Sequence, residues 1–223
     1  TSASYLLLSI LDISRRNLAL RGRESFAKVV KMAEYARQEI NSIGGYYAYG
    51  HELVDGQSVF DFDVTKLCVY TKGMGLTGIE VYDLLRDEYD IQLEFGDIGN
   101  IMAYISIGDR LQDIERLVGA LEDIKRLYRS DAGSLAYVDA VLPEVACSPQ
   151  QSFYAEKESL PIENTAGRIC GEFVMCYPPG IPILAPGEKI TAEIIDHILY
   201  AQKKGCSLQG AADPQVAHLQ VLK

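Results

Sequence analysis

Glu172 sits in a mostly apolar run, Arg168-Ile169-Cys170-Gly171-Glu172-Phe173-Val174-Met175-Cys176, that reads as a buried strand. A carboxylate carried into such surroundings is costly unless a cation meets it. Two readings follow. The acid pairs with an arginine of its own chain, such as Arg168, or it recognises a positively charged small molecule. The next segment, Tyr177-Pro178-Pro179-Gly180-Ile181-Pro182-Ile183-Leu184-Ala185-Pro186-Gly187-Glu188, carries four prolines and two glycines. Proline fixes φ and removes a backbone donor, and glycine permits turns that other residues make only with strain. The segment is therefore expected to be a stiff, irregular loop rather than a helix or strand, and a preformed loop loses little entropy when it binds. Residue chemistry leaves both readings of Glu172 open.

A second candidate lies at the start. Thr1, Ser2 and Ser4 precede an apolar-periodic segment, so their hydroxyls either cap a helix or, with its free amides, favour an anion. Glu94 and Asp97 have the look of an acid pair, but at the end of a short strand solvation or ion pairing accounts for them, and no role is assigned. Asp63 and Lys66 stand three apart, the spacing of a local salt bridge. The five cysteines are odd in number and lack CxxC spacing, and no histidine or cysteine has metal-ligand spacing. No metal is expected, and reduced thiols fit the cytoplasm.

These residues need positioning elements. Tyr5, Leu6, Leu8, Leu11 and Ile13, then Phe26, Val29, Val30, Ala33, Ile40 and Ile43 before Gly44-Gly45, predict two amphipathic helices. Leu67–Tyr70 reads as a strand, and Thr77 with Glu80 as a capping box opening a helix. Ile91–Phe95 and 101–107 read as paired strands, and Asp109 with Gln112 as the cap of a helix through Leu111, Ile114, Leu117, Leu121 and Ile124. Residues 129–140 read as a linker, and a last helix is expected from about Thr191. The tail after Gly210 is expected to fray, although Val216, Leu219 and Val221 could dock. The fold class is α+β, with mixed helix and strand. One domain covers residues 1–135, with the opening helices and a β-α-β-β-α portion, and a second covers 136–223.

At 223 residues, with 48% apolar and 23% charged side chains, the chain has the composition of a globular protein. A formal net charge of −10 argues against nucleic acid and anionic membrane as partners, and it favours cationic ligands. No stretch approaches the roughly 18 apolar residues of a bilayer span.

Four blocks together carry a family resemblance: Thr1–Leu8 with Leu11-Asp12 and Arg15-Arg16; Asp63–Leu67; Glu94-Phe95-Gly96-Asp97 with Asn100; and Gly167-Arg168-Ile169, Glu172 and Tyr177-Pro-Pro-Gly-Ile-Pro with Pro186-Gly187-Glu188. In order and spacing they resemble the bacterial ornithine/lysine/arginine decarboxylases, from residue 1 to about Gly210. The resemblance implies a pyridoxal-phosphate enzyme, a fold-type-I small domain followed by a C-terminal α+β domain, and a homodimer or larger assembly. It implies that Thr1 and Ser2 approach the cofactor phosphate of the neighbouring subunit, although Ala3 stands where the family often has proline. It also leaves Glu172 as the candidate for the substrate cation. That family holds its cofactor on a lysine directly after a histidine, whereas His51, His197 and His218 are followed by Glu52, Ile198 and Leu219. The expectation is thus a C-terminal portion without catalytic residues of its own, partnered by an N-terminal cofactor-binding domain and inactive alone. Its substrate is a basic amino acid, with arginine ahead of lysine and ornithine. The alternative is a non-catalytic assembly or regulatory module derived from the same family.

Overall fold

A computed structural model describes residues 2–129, 142–177 and 179–223. The first unit opens with α1 (Tyr5–Ile43), a single helix of 39 residues rather than the expected pair. No proline interrupts it, and Gly22 alone costs about 1 kcal/mol relative to alanine, too little to break a helix held at its far end. Only that far end is packed: Val29, Ala33, Ala36, Arg37 and Ile40 are its buried residues.

Beyond α1 come β1 (Tyr47–Ala48), β2 (Lys66–Tyr70), α2 (Gly78–Tyr89), β3 (Phe95–Gly96), β4 (Asn100–Tyr104) and α3 (Leu111–Tyr128). The strands form an antiparallel sheet in the order β1-β2-β4-β3. Alternation along β2 and β4 turns Leu67, Val69, Ile101 and Ala103 to one face. There they meet Ile40 of α1, Val81 and Leu85 of α2, and Leu121 and Ile124 of α3 in one core. The predicted β-α-β-β-α order holds, and so does the capping box: Thr77 accepts the Glu80 amide and Glu80 the Thr77 amide.

Two boundaries differ from expectation. The strand expected over Ile91–Phe95 is laddered only at Phe95 and Gly96, because Asp90 turns at φ 53° and the Ile91 amide returns to Leu85. The α3 cap is Arg110 with Asp113, not Asp109 with Gln112, since the Asp109 carboxylate is taken by the Ser106 amide at 2.6 Å.

The second unit comprises α4 (Pro149–Tyr154), β5 (Lys157–Pro161), β6 (Val174–Tyr177), β7 (Ile181–Leu184), α5 (Ala192–Lys203), β8 (Ser207–Gln209) and β9 (His218–Leu222). Sheets β5-β9 and β7-β6-β8 enclose a second core of Cys170, Val174, Leu184, Ile190, Ile194, Ile198, Leu219 and Val221. The helix from Thr191 forms as expected, with the Thr191 hydroxyl accepting the Ile194 amide.

Three expectations are corrected here. The strand read over residues 168–176 is laddered only from Val174, while Ile169 and Cys170 make isolated bridges to Lys189 and Val221. The proline segment is a β-hairpin: Ile181–Leu184 pairs with Val174–Cys176 across Pro179 and Gly180. Pro182 is tolerated because β7 is an edge strand, where a missing donor costs no ladder bond, and Gly180 turns at φ 86°. The tail does not fray, because β9 pairs along all of β5 and buries Leu219 and Val221. The linker expected at 129–140 lies almost wholly outside the described residues.

Candidate functional site

Two of the sequence blocks, far apart in the chain, face each other across a cleft of about 490 Å³ between the units. One wall is the Asp97–Asn100 turn joining β3 to β4; the other is the β6-β7 hairpin with His197 of α5 and Cys206.

The first wall is built by close backbone approach. At Gly78 an added Cβ would stand 1.9 Å from the Asn100 carbonyl oxygen, and at Gly96 2.5 Å from the Gly78 carbonyl oxygen, so glycine at both seats the α2 start directly on the turn. Asp97 Oδ1 accepts the amides of Gly99 and Asn100, both at 2.7 Å. The Asn100 side-chain amide donates to the same carboxylate, and Tyr49 Oη donates to Asn100 Oδ1 at 3.2 Å. Thr71 anchors the turn from behind, its amide and hydroxyl both donating to the Gly99 carbonyl. Beneath lies Lys72, only 7% exposed. Burial pushes its ammonium below the usual lysine range, while Asp97 opposes that shift.

The second wall mixes apolar and titratable groups. Ile181, Pro182, Ile183 and Ile194 supply the apolar surface. Burial, with the Lys72 charge, holds the His197 imidazole below its ordinary 6.5, and its Nδ1 meets no partner among the described residues. Cys176 and Cys206 line the same wall, and the influence of each thiol on the other lowers Cys176 and raises Cys206. Among the described residues no cluster of three or more His, Cys, Asp or Glu could hold a metal.

The residues singled out from sequence lie elsewhere. Glu172 is half-buried, and its carboxylate accepts two backbone amides, from Gln220 on Oε1 and from Ala212 on Oε2, both at 2.7 Å. It does not pair with Arg168, whose guanidinium bonds Glu158 and the Leu222 carbonyl instead. Thr1 lies outside the described residues. Ser2 is exposed just ahead of α1, whose N-cap Ser4 makes no side-chain capping bond. Asp63 and Lys66 form the expected pair at 3.7 Å, exposed on the surface. Sequence reasoning quoted Asp97 and Asn100 in one block without giving either a role, and it proposed no site role for Lys72 or His197; convergence of the quoted blocks was the signal available for Asp97 and Asn100.

Residues 132–212 match a family model described as Orn/Lys/Arg decarboxylase, C-terminal domain. Along its whole length the chain is 37% identical to an arginine decarboxylase of Bacillus anthracis and 38% identical to one of Halalkalibacterium halodurans. It covers 46% of each, so it spans about half the length of the curated relatives it matches. Among solved structures, the E. coli constitutive lysine decarboxylase superposes on 100% of this chain and 44% of its own, with a TM-score of 0.68 at 20% identity. The Francisella novicida lysine decarboxylase does so over 91% and 40%, with a TM-score of 0.67 at 18% identity. At those identities the likeness is one of fold. The match along the whole chain, together with the domain model, places this chain in the Orn/Lys/Arg decarboxylase family, whose C-terminal domain it contains.

Proposed function

We propose that the chain is the C-terminal part of a pyridoxal-phosphate-dependent decarboxylase acting on a basic amino acid, arginine before lysine or ornithine. The observation that carries this reading is identity of 37–38% to arginine decarboxylases along its entire length. When bound, the cofactor supplies the electron sink for loss of CO₂. This chain's own residues fit only its phosphate end. The first turn of α1 has no side-chain cap, so its free amides, beside the Ser2 hydroxyl, form a donor set suited to an anion. Thr1 and Ser2 would hold the phosphate of a neighbouring subunit. No lysine here follows a histidine, so the covalent attachment belongs to an N-terminal domain, and the 223-residue chain alone is inactive.

Assembly with that domain, and as a homodimer or larger, is supported by the near half of α1, where Tyr5 (88%), Leu11 (65%) and Leu20 (73%) stand exposed. The division near residue 135 is supported by the two separate cores. A cytoplasmic setting agrees with free thiols at all five cysteines, and no helix among the described residues is long and apolar enough to cross a membrane.

For Glu172 the two amide bonds favour bracing of the tail, with recognition of the substrate cation as the second reading. The test of the main proposal is CO₂ release by the complete enzyme from arginine, lysine and ornithine. Release fastest from arginine, and none from the isolated chain, is expected. No release from any of the three would favour the non-catalytic module.

A further inference from the structure

The cleft between the Asp97–Asn100 turn and the β6-β7 hairpin carries spare hydrogen-bonding capacity on both walls. Asp97 Oδ1 is saturated, taking the amides of Gly99 and Asn100 at 2.7 Å and the Asn100 side-chain amide at 3.3 Å. Its partner oxygen, Oδ2, has only that side-chain amide, at 3.4 Å, among the described residues. Opposite, the His197 ring lines the cleft, while its Nδ1 is turned from solvent and meets no partner among the described residues. Leaving such an atom unpaired is costly, and rotation of the ring toward a donor in the cleft would remove the cost. Burial and then the Lys72 charge favour the neutral ring, so with its proton on Nε2 the Nδ1 lone pair accepts.

Two acceptors call for a donor, and the surroundings say which. Asp97 is the carboxylate of the lining, and no lysine or arginine belongs to it among the described residues. A cation therefore fits and a carboxylate does not. Because Oδ1 is already filled, the two-pronged contact that a guanidinium makes with a carboxylate is not on offer, whereas an ammonium needs one oxygen. Lys72 beneath the turn offsets part of the attraction, so apolar contact has to contribute as well. Ile181, Pro182, Ile183 and Ile194 supply it, and each methylene buried on them strengthens binding about fourfold. The volume, about 490 Å³, is that of a small-molecule site.

We propose that this cleft binds a small aliphatic amine, whose ammonium donates to Asp97 Oδ2 and His197 Nδ1 while its methylene chain lies on the isoleucine and proline wall. Loss of CO₂ from a basic amino acid leaves a molecule of this class, so under the reading proposed above the cleft accepts the kind of amine that the complete enzyme releases. The cleft chemistry stands without that reading. Bound amine would join the Asp97–Asn100 turn of the first unit to the hairpin of the second.

The test is hydrogen exchange on the complete enzyme, titrated with 1,5-diaminopentane and, separately, with 6-aminohexanoate, which exchanges one ammonium for a carboxylate. The diamine should protect amides in both 97–100 and 181–184, at concentrations about tenfold below those the amino acid needs. Asp97→Asn should weaken that protection about 10- to 100-fold, the value of one hydrogen bond to a charged group. Ile181→Lys, at a position 68% exposed, should weaken it about tenfold by placing a cation on the apolar wall. Protection missing from either wall, equal response to the two probes, or an Asp97→Asn titration like that of wild type would overturn the proposal. Amine captured at the cofactor would leave both walls unprotected, and CO₂ release is not read, so failure of the decarboxylase reading is a separate result. Wild-type titrations decide the matter even where a variant fails to fold.

Discussion

Glu172 Oε1 accepts the Gln220 backbone amide at 2.7 Å, joining residues 48 apart and tying the approach to the hairpin to strand β9. Its other oxygen takes the Ala212 amide, so one carboxylate braces both ends of the segment that leads into that strand.

Replacing Glu172 by glutamine turns one acceptor into a donor facing an amide and removes the charge from the other bond. Hydrogen bonds to charged groups contribute roughly 1.5–3 kcal/mol, and partial exposure places this change near about 1.5 kcal/mol. Chemical denaturation of the complete enzyme should show that loss, with kcat/KM for arginine within about threefold of wild type. A drop of about tenfold or more in kcat/KM at unchanged stability would instead assign Glu172 to the substrate cation.

Gly78→Ala should be costly, because its Cβ would overlap the Asn100 carbonyl, and neither backbone can retreat without moving the Asp97–Asn100 wall. Overpacking of this kind costs about 1–3 kcal/mol, and backbone contact argues for the upper end. Gly119→Ala, on the exposed side of α3 with nothing within 4 Å, should stabilise by about 0.5–1 kcal/mol. Paired urea titrations check both signs, and hydrogen exchange should locate the Gly78→Ala loosening at residues 97–100.

His197 links stability to pH. Its folded-state pKa lies below the ordinary 6.5, so the folded protein favours the neutral ring. That contribution is complete above 6.5 and is lost as pH falls through the lower folded value. Unfolding free energy measured from pH 7.5 downward should therefore decline, and His197→Gln should flatten the part of the decline that begins near 6.5. An identical profile in the variant would remove His197 from the account.

Thr1→Ala with Ser2→Ala in the complete enzyme should weaken cofactor binding about 10- to 100-fold, the value of one hydrogen bond to a charged group. An absorbance titration with pyridoxal phosphate reads this directly, while the thermal midpoint stays unchanged. Mixing the double variant with a subunit inactivated at its cofactor lysine should restore one whole site per mixed dimer and hence activity. Mixed dimers that stay inactive would place the hydroxyls outside the neighbour's site.

Local chemistry made much of the first unit legible. Thr77 and Glu80 announce their helix because a capping box is closed by residues three apart, and Leu67–Tyr70 announces its strand by β-branched and aromatic content. The family was legible too, because its blocks keep their order. What the sequence could not supply was the outcome of competition between local preference and distant partners. The prolines of the Tyr177–Glu188 segment argue against a strand, yet Ile181–Leu184 pairs with β6, because an edge position leaves the missing donor without cost. The polar tail argues for fraying, yet β9 is held by β5 and by burial of Leu219 and Val221. Glu172 asks for a cation by composition and receives amides, since the N–H groups of Ala212 and of Gln220 in β9, 40 and 48 residues on, satisfy a carboxylate as well. The cleft itself belongs to tertiary structure alone: Asp97 and Cys176 meet only because glycine lets α2 press on the first turn and the sheet register carries the hairpin opposite it.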